Sequence, residues 1–166
     1  MVIICLIVAI LITVKVIWVV SATIGHGSFE GERKEIVRRA NYLTSMVCTT
    51  PQDLLNEMPS GIGEQFQGEW ALYTCSMTSA ALANIAVLYP QNKELSIKFI
   101  GQIIDIAMSE EIREYDRLRW REDPMDGIYG NLSHISYYSH LAWMISRYKQ
   151  IGGDGKYDDL YHSLCK

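Results

Sequence analysis

The sequence predicts an all-α protein in which an apolar N-terminal helix precedes a helical body. Three observations carry that reading. The first 24 residues are almost wholly apolar, later apolar residues recur at spacings of three and four, and no stretch alternates polar with apolar residues as a strand would. The 166 residues leave room for one domain of ordinary size after the leader.

Residues 1–24, MVIICLIVAILITVKVIWVVSATI, contain fifteen Val, Ile or Leu. Each contributes about -0.3 to -0.6 kcal/mol to bilayer insertion against about +3 kcal/mol for a central Lys15, so insertion wins. A span of about 20 residues matches the hydrocarbon core, with Lys15 running its stem toward a headgroup region and Trp18 near an interface. The segment is read as a single-pass membrane anchor, with the lipid bilayer as partner. Its rival is a cleaved signal peptide, because Val20, Ser21 and Ala22 make an acceptable cleavage site, although the basic n-region is missing. Arg33, Lys34, Arg38 and Arg39 follow the span and favour a cytoplasmic body, whereas exported proteins also begin with such a leader.

Residues 25–31, GHGSFEG, form a short linker, and 32–166 the helical domain. From Glu32 to Cys48, Ile36, Ala40, Leu43 and Val47 mark one buried stripe with the basic residues outside it. Thr50, Pro51 and Asp53 are an N-cap, a first helical position and a first-turn acid, which predicts a short helix over 52–58. A long helix over 64–89 has small residues, Ser76, Ser79, Ala80, Ala81, Ala83 and Ala86, that let a neighbour come close. Pro90 closes it. Helices are expected over 93–108, with Leu95, Phe99, Ile100, Ile103, Ile104 and Ala107 inside, and over 110–120. A further helix carries Ile135, Tyr138, Leu141, Ala142, Ile145 and Tyr148 inward, stops at Gly152 and Gly153, and is followed by a last helix over 154–165.

The net charge of -4 and pI near 5.5 provide no basic surface for phosphates, which argues against nucleic acid as a partner. Four widely spaced cysteines, one in the leader, make no disulfide framework or CxxC pair. There is no phosphate-cradling glycine loop, GxSxG elbow or HExxH pair, and the acids fail the EF-hand spacing, so no cofactor and no metal is predicted.

Chemistry concentrates in 120–140, WREDPMDGIYGNLSHISYYSH. Asp123, held before Pro124 and beside Trp120, is the candidate general acid or base. His134, where a helix begins, is the candidate proton shuttle, and Tyr138 a positioning hydroxyl. Trp120, Asp126, Tyr137 and His140 complete the candidate substrate-binding set. The bland alternatives are a solvated acidic turn for Asp123, a water-facing His134 capped by Ser133 or Asn131, and core packing for His140 and the tyrosines. Arg117, Arg119 and Arg121 read as a salt-bridged rim.

Shifting the chain by 59 residues places Leu82 and Ala83 on Leu141 and Ala142, and Tyr89 on Tyr148, as repeated helical hairpins would. The run SHLAWMISRY followed by GGDGKYDDL resembles one hairpin of an α/α-toroid. With the preceding loop, REDPMDGIYGNLSHISYYSHL, residues 64–166 look most similar to proteins related to linalool dehydratase/isomerase, and more distantly to six-hairpin glycosidases. The resemblance implies antiparallel helical hairpins with a substrate cavity lined by loops that lead into inner helices. It implies acid/base chemistry on a small alcohol or a carbohydrate. A closed toroid needs about a dozen helices, and this chain supplies about three hairpins, so an incomplete, partial toroid is expected. The other expectation is a non-catalytic membrane-attached module that binds a partner or glycan.

Overall fold

The computed structural model describes residues 9–18, 29–61, 63–129 and 134–166, and among these every regular element is helical. In order they are α1 (Ala9–Trp18), α2 (Phe29–Val47), α3 (Pro51–Glu57), α4 (Glu64–Leu88), α5 (Lys93–Ala107), α6 (Glu110–Trp120), α7 (Ile135–Gln150) and α8 (Asp158–Leu164). Short 3-10 turns lie at Pro90–Asn92, Gly127–Tyr129 and Gly155–Tyr157. The chain divides into two compact units, Met1–Arg39 and Ala40–Lys166.

In the first unit α1 exposes Ile10, Leu11, Val14, Ile17 and Trp18. The remainder of the expected anchor, residues 1–8 and 19–24, lies outside the described residues, as does 25–28 of the expected linker; Phe29–Gly31 is helical. Glu35 accepts from the guanidinium groups of Arg38 and Arg39 on the exposed surface. Those bonds hold its carboxyl down at about 2, with Arg38 the larger cause.

The second unit is organised around α4, which packs against α3, α5, α6 and α7. Its Ala71, Leu72, Cys75, Leu82, Ala83 and Ala86 are buried together with Ile100, Ile103, Ile104 and Ala107 of α5, Ile112 and Tyr115 of α6, and Tyr137, Leu141, Met144 and Ile145 of α7. Each fully buried Leu or Ile contributes about 1.5–3 kcal/mol relative to exposure. Small side chains let α4 sit among so many neighbours, and the buried hydroxyl of Ser79 donates to Cys75 O at 2.9 Å, within its own helix. The stretch Gln65–Leu88 is the one helix among the described residues long and apolar enough to cross a bilayer by length and composition, and half of it is buried in the protein.

Local signals place the ends. Thr50 Oγ1 accepts from Asp53 N at 3.2 Å with Pro51 at the first helical position, and Ser109 caps α6 by accepting from Ile112 N at 3.4 Å. α7 stops at Gly152, whose φ of +85° is left-handed. Gly153 has another reason to be glycine: a Cβ there would enter the Tyr148 ring. Three residues expected inside are exposed: Leu95, Ile135 and Ile36. Ile135 opens its helix two residues before the buried stripe Tyr137, Leu141, Met144, Ile145 and Tyr148 begins, and among the α2 residues whose burial is described only Thr44 and Val47, near its C-terminal end, are buried.

Candidate functional site

The site is built where the end of α6 and the start of α7 come together. α6 turns Ile112, Tyr115 and Asp116 inward, an i, i+3, i+4 stripe that puts a carboxylate on an apolar face. Such a group needs a partner, and His134, one residue ahead of α7, supplies it: Nδ1 lies 2.5 Å from Asp116 Oδ2, and both residues are 1% exposed. A carboxylate only accepts, so Nδ1 carries the hydrogen and donates. The second oxygen, Asp116 Oδ1, has no hydrogen-bond partner among the described residues.

The opposite ring nitrogen, His134 Nε2, faces Glu122 Oε2 at 3.4 Å. Trp120 and Tyr138 enclose the imidazole, with ring centroids 6.2 and 5.4 Å away. Gly127 closes against the same nitrogen, since a Cβ there would sit 2.8 Å from Nε2. Three groups therefore run in a row from the core outward, Asp116, His134 and Glu122, and only Glu122 is partly exposed. Glu122 lines an open depression with Arg117, Leu118, Arg121, Asp123 and Asp126. Arg121 ends α6 with φ of 58°, left-handed without being glycine, and its N–H donates to Arg117 O at 2.7 Å.

The predicted residues divide sharply. Asp123 forms an ion pair with Arg113 and accepts from Met125 N at 2.8 Å, while its carbonyl receives the N–H groups of Asp126 and Gly127. Tyr138 donates to Pro124 O at 2.8 Å, and burial pushes its hydroxyl up to about 12. Tyr137 is fully buried and donates to Ala107 O at 3.1 Å; burial pushes its hydroxyl well above the usual range. Asp126 lines the depression at the surface, whereas Trp120, also exposed, is not part of its lining. Ser133 and Asn131, expected as caps, lie outside the described residues.

His140 stands apart from this cluster, with Nδ1 2.9 Å from Ser76 Oγ and its ring edge-on to Tyr73 at 4.3 Å. Ser76 Oγ also lies 3.0 Å from Tyr73 O, and which of Ser76 and His140 Nδ1 donates to the other follows the imidazole tautomer. Burial lowers the His140 pKa below 6.5, opposed by nearby Glu69. The unfolded chain then takes up the proton first. Stability is full above 6.5 and declines as pH falls, until the folded form is protonated as well. Urea midpoints measured from pH 8 to 5 are expected to fall more steeply for the native chain than for His140→Gln; equal slopes would exclude this contribution.

Sequence reasoning overlooked Asp116 and Arg113 as members of the site, and took Glu122 only as one of the loop's carboxylates. The signal for Asp116 was its place in the Ile112–Tyr115–Asp116 stripe; nothing local marks Arg113, whose partner is ten residues away. The predicted rim is seen in part, as Arg117 pairs with Glu114 and Arg119 with Glu69 at 3.6 Å. No group of three or more His, Cys, Asp or Glu side chains among the described residues is arranged to hold a metal ion. No protein-family model, curated protein or solved structure matches the chain.

Proposed function

We propose that this chain forms one wall of an acid/base active site in a helical array of the α/α-toroid kind, attached to a membrane through its apolar leader and acting on a small alcohol or a carbohydrate. The carrying observation is the buried His134 with a carboxylate at each ring nitrogen, one of which reaches the open depression. Asp116 holds the ring and its tautomer, as an orienting carboxylate does for a proton-handling histidine. Glu122 is the group that meets substrate, while His134, fully enclosed, acts through it. Asp126 and Arg121 line the rim where hydroxyl groups would bind. Asp123 and Tyr138 shape the loop through Arg113 and Pro124.

The test is turnover by the full chain of a panel of small allylic alcohols, followed by chromatography, and of oligosaccharides, followed by new reducing ends. Glu122→Gln is expected to lower kcat about 10²–10⁴-fold with its melting temperature unchanged. Absence of turnover across both panels, or full activity in Glu122→Gln, rejects the reading. A second reading, a non-catalytic membrane-attached module that binds a partner, is favoured by one fact: Asp123, Tyr138 and His134 all direct their polar atoms to partners within the protein. On that reading Glu122→Gln changes neither stability nor any turnover.

A further inference from the structure

Away from this cluster, α4 presents an aromatic face. Phe66, Trp70 and Tyr73 follow one another at helical spacings of four and three, and with Glu69 they line a recess of their own. Trp70 and Tyr73 are 49% and 41% exposed, although such large rings gain most from burial. Their centroids lie 6.2 Å apart with the planes tilted by 46°, so the rings form two angled walls. Tyr73 is held from behind: His140 stands edge-on against it, and the Tyr73 carbonyl receives the Ser76 hydroxyl that His140 also contacts. The Tyr73 wall is therefore braced by His140 before any ligand arrives.

The chemistry of the lining is narrow. Its surface is almost wholly apolar π face: Glu69 borders it, but no polar group among the described residues reaches far enough in to satisfy the hydroxyls of a sugar. Aromatic faces attract cations whose charge is spread over methyl groups, and such cations shed water at little cost. A carboxylate at the edge supplies the complementary charge, and the acidic chain as a whole favours a cation over an anion. Glu69 is only loosely engaged by Arg119, at 3.6 Å with both side chains partly exposed, a pairing of small worth that leaves the carboxylate available.

We propose that the Phe66–Glu69–Trp70–Tyr73 recess binds a quaternary ammonium group, as in choline. This site is independent of the acid/base reading above, since it shares no residue with the Asp116–His134–Glu122 row. The Arg119 guanidinium opposes the incoming cation, which gives the proposal a signed prediction: removing that charge strengthens binding, and removing Glu69 weakens it.

The experiment titrates the full chain, held in a maltoside micelle, with choline chloride and tetramethylammonium chloride by calorimetry. Saturable binding with Kd on the order of 1 mM is expected. Trp70→Leu should weaken it about 10-fold, Glu69→Gln several-fold, and Arg119→Gln should tighten it several-fold, while Trp143→Leu, outside the recess, leaves it unchanged. The uncharged isostere 3,3-dimethylbutanol should bind at least about 10-fold more weakly than choline. Equal affinity for the isostere, unchanged affinity in Trp70→Leu, or no saturation by either salt overturns the proposal. A further arm separates the source: competition of choline by phosphatidylcholine vesicles but not by phosphatidylglycerol vesicles assigns the group to a lipid headgroup, and no competition by either assigns it to a free cation.

Discussion

Replacing His134 with alanine is expected to cost the fold about 3–5 kcal/mol, the range for leaving a buried charge without its partner. The damage comes mainly from what remains. Asp116 is 1% exposed, and its Oδ1 already lacks a partner among the described residues, so losing the 2.5 Å bond to Nδ1 leaves the carboxylate unsatisfied in the core. The void between Trp120 and Tyr138 adds a packing loss. Urea unfolding measures this directly, as a lower midpoint at unchanged slope. The double variant His134→Leu with Asp116→Leu should recover much of the loss, because an apolar pair of similar volume removes the stranded charge. A loss below about 1 kcal/mol in His134→Ala would show that Asp116 finds other partners.

Asp123→Ala is expected to lower stability by about 2–3 kcal/mol, less than for a fully buried pair because the Arg113 and Asp123 side chains are 12% and 21% exposed. It strands the Arg113 guanidinium and removes the acceptor for Met125 N. For a chain of this size the melting temperature should drop by about 4–12 °C. Asp123→Asn, which still accepts from Met125 N, should lose about half as much. The asparagine variant separates two roles for this side chain: if Asp123 itself exchanges protons with substrate, turnover falls far more than stability, and if it braces the loop the two fall together.

The helical architecture could be read from the residues because its determinants are local. The apolar period of three and four, Thr50 before Pro51, Pro90, and Gly152 each act within one or two turns, and the helices over 64–88, 93–107 and 110–120 begin and end within a residue of their expected places. The arrangement of the candidate cluster was legible only in part. Composition singled out 120–140 as the candidate stretch, yet which acid meets His134 depends on how α6 is rotated in the core, and Asp116 lies 18 residues away. For the same reason His134, expected at water's edge, is enclosed: Trp120 and Tyr138 come from two different helices, and no spacing along the chain brings both rings onto it. Asp123 was singled out for its proline neighbour, whereas its surroundings are set by Arg113 on the preceding helix.

The apolar character of α4 has a consequence for the order of events during synthesis. Its stretch from Gln65 to Leu88 is long and apolar enough to cross a bilayer, and in the finished protein half of it is covered, chiefly by α5, α6 and α7. Those helices are made later. At about 5–20 residues per second the last of them follows α4 from the ribosome only after roughly 3–12 seconds, a long wait beside the microsecond times of hydrophobic collapse. For that interval the nascent chain carries, without its later partners, a segment long and apolar enough to cross a bilayer. Whether α4 becomes the centre of a helical body is thus decided by a race between its partners' emergence and the bilayer's offer. Ser76, Thr78 and Ser79, spread along its middle, weaken that offer at little cost to the packed state, in which Ser79 returns its hydroxyl to its own backbone.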